Sequence, residues 1–266
     1  MLVAASSSQS VSIMYPAVPV VPELVEGVEG RPGDQQRSPV LWPGFFFVKI
    51  TVSSTVMTGG VMTIKSIAET SYSGMFRVEP MEGSAFFIRK EYLSAVDFES
   101  VVPDAEFEGE AQDELLDAGL ISAVELKAVG YLARAEQSRF GLTNKLINKK
   151  YDKKYIDAAL TYLENRGYLS DARFAECWLH DRKINHFEGR SKLASELAAR
   201  GIGREVAAVA LDQFFTENDE EEICKRAFEK FKHQGKEGKK LVAALMKAGF
   251  SYKMIKAVVE PVETTI

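Results

Sequence analysis

LTNKLINKKYDKKYI (Leu142–Ile156), LASELAARGIGREVA (Leu193–Ala207) and LVAALMKAGFSYKMI (Leu241–Ile255) align with one another without a gap. Leu142, Leu193 and Leu241 correspond, as do Leu146, Leu197 and Leu245, then Tyr151, Ile202 and Phe250, then Tyr155, Val206 and Met254. Leucines four apart share one face of a helix; a turn follows, carrying Gly201 or Gly249 in two copies, and a second helix opens after it. Each copy also has an upstream segment of helical period: Val124–Glu136, Ala172–Ile184 and Glu220–Lys232. The spacing therefore predicts a mainly α fold of three tandem three-helix repeats over 122–260, bounded at about 122–170, 171–217 and 218–260. The apolar stripe of such a short trio is too small to bury alone, so neighbouring repeats are expected to stack into an elongated array.

Outward from the repeats the pattern changes. Between Phe45 and Glu110 the period is closer to two, in TIKSIAET, MFRVEP and AFFIRK, separated by Ser73-Gly74 and Glu82-Gly83-Ser84. This predicts a small antiparallel β segment of three or four strands over 45–110. Its end, AEFEGEAQDELLDAG, shifts toward helical spacing. Residues 1–44 are rich in Ser, Val, Pro and Gly with no period, and read as a disordered low-complexity leader. Met57 and Met62 are alternative starts that would make the leader a gene-calling artefact. Pro261 is expected to stop the last helix.

Hydrophobic residues make up 46% and charged residues 27% of the 266, the balance of an ordinary globular protein. Cys177 and Cys224 form no C-x-x-C pair, which argues against a disulfide framework and for a reducing compartment. No basic residue precedes the early apolar stretch, which prolines interrupt, and no run reaches the ~18 apolar residues of a membrane span, so a cytoplasmic location is expected. Residues 1–110 hold 7 Lys+Arg against 14 Asp+Glu, a net of −7; residues 111–266 hold 26 against 24, a net of +2. The basic charge gathers in the helical half, but the excess is too small for tight stand-alone DNA binding.

The segment GYLSDARFAECWLHDR (Gly167–Arg182), followed by GRSKLASELAARGI (Gly189–Ile202), resembles the RecX family, as do YLARAEQSRFGLTNKL (Tyr131–Leu146) and LMKAGFSYKMI (Leu245–Ile255). The resemblance covers about residues 122–260. It departs at Ala135-Glu136-Gln137, where a basic and then an acidic residue are usual, and at Tyr151, preceded by Lys149 and Lys150 in place of glycine. The resemblance implies a regulator of the RecA recombinase that lies in the groove of the RecA–DNA filament and modulates ATP hydrolysis and strand exchange, mostly by inhibition. It implies no catalysis by the chain and no cofactor. The rival reading is a sequence-independent nucleic-acid-binding helical protein that acts without a recombinase.

Contact residues are expected among the basic side chains at the start of each second helix: Arg139 and Lys145, Arg190 and Lys192, and Lys239 and Lys240. Helix amino termini attract anions, and cations added there would strengthen the effect. Lys149 and Lys150 belong to the densest basic run. Gly167, Tyr168, Leu169, Asp171, Phe174 and Ala175 carry the resemblance through structural roles: Gly167 ends a helix, Ser170 or Asp171 caps the next, and Phe174 packs inward. Cys177 and His180 lack the partners of a zinc site. The chain has no G-x-S-x-G, Walker loop or G-x-G-x-x-G, which removes support for a hydrolase or nucleotide site. A monomer is expected.

Overall fold

The computed structural model describes residues 13–16, 45–48 and 60–263. The leader expected over 1–44 lies outside the described residues except at Ile13–Pro16, strand β1, which pairs antiparallel with β2, Phe45–Val48. The chain divides into two compact units, residues 1–135 with 146–163 and residues 136–145 with 164–266.

The first unit holds an antiparallel sheet in the order β5-β4-β3-β6, built from β3 (Met62–Glu69), β4 (Met75–Pro80), β5 (Phe86–Arg89) and β6 (Glu106–Phe107). The three runs of period two are β3, β4 and β5; the two residues of β6 are too few to show a period. One long helix, α1 (Gly109–Leu132), follows. The helix expected over Val124–Glu136 is thus the carboxy-terminal part of a longer one that ends at Leu132, and no break separates the sheet segment from the first repeat. The reason lies in the acidic stretch itself. Leu115 and Ala118, one turn apart, enter the sheet core with Ile64, Val78 and Ile88. Gly119 lies against the Phe86 ring, where a Cβ would come within 2.9 Å of it. The Arg89 guanidinium donates twice to the Glu125 carboxylate, at 2.7 Å each, with both side chains buried, and so pins β5 to α1.

The repeat helices are α2 (Arg139–Ile147) and α3 (Lys153–Asn165); α4 (Asp171–Asn185), α5 (Arg190–Ala198) and α6 (Arg204–Glu217); and α7 (Glu220–His233), α8 (Gly238–Lys247) and α9 (Tyr252–Glu263). With α1 they make three repeats of three helices. The aligned leucines are core residues: Leu142 and Leu146 are fully buried, Leu193 and Leu197 pack with Ala175 and Leu179, and Leu241 and Leu245 with Phe228 and Phe250. Pro261 does not stop α9, which runs on to Glu263. No described helix is long and apolar enough to cross a membrane.

Candidate functional site

Each second helix ends in the same turn. Lys150, Gly201 and Gly249 occupy corresponding positions with φ of 68°, 79° and 95°. Their N–H groups donate to Ile147, Ala198 and Met246, and those of Tyr151, Ile202 and Phe250 reach back to Leu146, Leu197 and Leu245. This is the Schellman arrangement, in which a left-handed residue lets two amides close the last carbonyls. Lys150 is therefore a turn residue as well as a surface cation.

The amino termini of α2 and α5 are closed by the following repeat. Ser138 Oγ donates to the Arg200 carbonyl at 2.9 Å, and at the matching position Gly189 N–H donates to the Ala248 carbonyl at 2.9 Å. The Arg139 N–H donates to Asp171 Oδ1 and the Arg190 N–H to Glu220 Oε1, each at 2.8 Å. The guanidinium of Arg139 pairs with Glu164, and that of Arg190 with Asp212. Two successive repeats are thus joined by one junction used twice: an amino-terminal turn meets the carboxy-terminal turn of the next second helix, positive end to negative end. The glycines belong to it. A Cβ on Gly201 would collide with the Phe140 side chain, and one on Gly249 with the backbone of Lys192.

This geometry redistributes the basic residues read from sequence. The anion-attracting turns opened by Arg139 and Arg190 are already occupied by carboxylates of the protein, so anion capture is not what those two positions offer. Lys192 pairs with Glu196 at 2.8 Å, and Arg200 approaches the same carboxylate at 2.7 Å, which holds the Glu196 carboxyl down at about 2. Lys145 lies in the last turn of α2 rather than the first and donates to Gln137 at 2.5 Å. Lys149, Lys150, Lys239 and Lys240 are exposed. In the third repeat Gly238 stands where Arg139 and Arg190 stand in the others.

Among the family-motif residues, Gly167 ends α3 with φ 73°, Leu169 and Ala175 are buried, and Phe174 packs on the second-repeat core. Ser170 caps α4 by accepting from the Arg173 N–H, leaving the Asp171 carboxylate to cap α2. Tyr168 is 60% exposed and stands in the turn between α3 and α4. Glu136, at the departure from the family pattern, pairs with Arg173 at 2.9 Å.

A cleft of about 310 Å³ lies among α4, α6 and α7, but its arginines Arg182 and Arg226 are paired locally with Glu188 and Glu222. Among the described residues no group of three His, Cys, Asp or Glu is placed to hold a metal ion. Sequence reasoning missed two features. One is the Arg89–Glu125 pair, whose members lie 36 positions apart with no local signal. The other is a set of cations laid on aromatic rings: Lys127 over Tyr131 at 5.6 Å, and Arg182 and Arg200 over Trp178 at 5.4 and 4.6 Å. The repeat alignment could have exposed the second, since these residues sit at matching offsets.

Fold and site together define a class: a tandem three-helix-repeat protein whose successive repeats are joined by polar junctions. The family model described as RecX, second three-helix domain, matches residues 170–211. The chain is 35% identical over 132 residues to a regulatory protein RecX of Treponema pallidum (strain Nichols), covering 50% of this chain and 80% of that protein. It is 25% identical over 186 residues to a regulatory protein RecX of Listeria welshimeri, covering 64% and 67%. A crystal structure of regulatory protein RecX shares the fold with a TM-score of 0.60 at 16% identity, over 75% of this chain and 99% of that one. The chain belongs to the RecX family of regulatory proteins.

Proposed function

We propose that the chain binds RecA–DNA filaments in the cytoplasm as a monomer and modulates, by inhibition, RecA ATP hydrolysis and strand exchange, without catalysis of its own. Membership in the RecX family is the observation that carries this reading. The physics is compatible with it: repeats locked in register by a repeated junction present side chains at regular intervals, which suits an extended periodic partner. The exposed lysines Lys145, Lys149, Lys150, Lys239 and Lys240 are assigned to contact, whereas Arg139 and Arg190 join the repeats through their amides and Lys192 pairs within α5 with Glu196.

The test is DNA-dependent ATP hydrolysis by the host's RecA, with wild-type protein and with the Lys239→Gln/Lys240→Gln double variant. Turnover should fall at substoichiometric wild-type protein and recover in part with the variant. Unchanged turnover at stoichiometric excess of wild type would remove the filament reading.

A further inference from the structure

At the carboxy-terminal end of α1 the ammonium of half-buried Lys127 lies 5.6 Å from the centre of the Tyr131 ring. Burial, and then the positive charges of Lys149 and Arg134 nearby, hold its ammonium below the ordinary lysine value. Arg134 and Lys149 are exposed. Among the described residues none of the three cations has a carboxylate within ion-pair distance. Among the described residues the buried Tyr151 hydroxyl has no hydrogen-bond partner, and burial, then Tyr131, pushes it up to about 12.

The second repeat shows what the same positions look like when neutralised. At the 51-residue offset of the repeat alignment, Lys127, Tyr131 and Lys149 become Trp178, Arg182 and Arg200. There the two guanidinium groups also lie on an aromatic ring, but Arg182 is forked onto Glu188 at 2.7 and 3.0 Å, and Arg200 is bound to Glu196 at 2.7 Å. One cation–aromatic design thus occurs twice, closed by acids in the second repeat and left open in the first. Like charges gathered without acids repel in the free protein, and an anion from outside relieves that repulsion.

We propose that Lys127, laid on the Tyr131 ring, forms with Arg134 and Lys149 near it a direct contact site for the phosphate backbone of a nucleic-acid strand. Arginine forks meet carboxylates in Arg89–Glu125 and Arg182–Glu188, and lysine meets one through a single contact in Lys192–Glu196. Two of the three open cations are lysines, point charges that meet phosphate from any direction and gain nothing from a planar acceptor. Cations beside an aromatic ring are also the equipment of sequence-independent strand binding. The site adds to the filament reading and rests on it only for the setting in which the strand is met.

The experiment is fluorescence anisotropy of a labelled single-stranded oligonucleotide with the full chain, without RecA, over a series of salt concentrations. The same preparations go into the RecA ATPase assay. Arg134→Gln/Lys149→Gln alters only exposed side chains and should fold like wild type; a Lys127→Gln addition completes the triple variant. Each phosphate-neutralising cation removed should reduce the salt slope by about 0.7, so the slope should drop by roughly 1.4 in the double variant and roughly 2 in the triple. Tyr131→Leu should weaken binding with the slope unchanged. No measurable binding by wild type, or a double variant equal to it in affinity and slope, overturns the site and turns the patch toward an acidic protein surface. Binding that follows these slopes while wild type leaves RecA turnover untouched would sustain the site and remove the filament reading instead.

Discussion

At the residue scale the turn after each second helix shows how much one backbone position demands. Gly201 and Gly249 take the left-handed conformation without penalty, whereas Lys150 must hold φ 68° with a side chain attached. Lys150→Gly should therefore stabilise the protein by about 1 kcal/mol despite glycine's freer unfolded chain, read as a higher melting temperature; a lower one would refute the strain argument. Glu114 is a second residue whose role was illegible in the sequence, where it is one acid among many. Its carboxylate accepts the backbone N–H groups of Ser94, Ala95 and Val96, and these bonds hold its carboxyl down at about 2. A carboxylate depressed in the folded state contributes stability above its unfolded value near 4.5 and loses it as pH falls toward 2. Glu114→Gln should be less stable than wild type at neutral pH, and thermal melts should show the gap closing between about pH 4.5 and 2. A gap constant across that range would sink the assignment.

At the element scale, helices that follow from their own apolar period are completed by groups from elsewhere in the chain. The paired leucines of α2, α5 and α8 define each helix, but the first amides of α2 and α5 are satisfied by Asp171 and Glu220 from the next repeat. Ser138 serves both ends of one junction, accepting from the Gly141 N–H at 3.1 Å and donating to the Arg200 carbonyl. Ser138→Ala should cost about 1 kcal/mol, and amide exchange should show faster opening at the start of α2 and at the turn after α5 together. Faster exchange at α2 alone would reduce Ser138 to an ordinary cap. The element boundaries were legible where the period was long and unbroken, as in α4 and α7. They were not where α1 changes partner along its length, because its first half is patterned to a sheet and its second half to helices, and no turn residue marks the change.

At the scale of the whole molecule, the question is which cations are free to meet a partner. Arg190 gives its amide to a junction and its guanidinium to Asp212 of its own repeat, while Lys239 and Lys240 are exposed at the start of α8. Arg190→Gln should lower the melting temperature only slightly, because its amide bond to Glu220 survives and the exposed Asp212 pair contributes little, whereas Lys239→Gln/Lys240→Gln should change RecA turnover and leave the melt in place. Equal melting temperatures for wild type and Arg190→Gln would return Arg190 to the contact surface. The candidate site was therefore only half legible. Recurrence marked positions worth attention, but recurrence is equally what a repeated structural joint produces, and only the acids facing them separate the two. The sequence by itself determined the three repeats, their helices and the sheet ahead of them, because period and turn chemistry are local and survive in one dimension. Only the tertiary structure decided which charges are neutralised, as at Arg139 with Glu164 and Arg190 with Asp212, and which remain open, as at Lys127, Arg134 and Lys149. A charge is set by what lies within a few ångströms of it, and across these folds those neighbours come from distant stretches of chain.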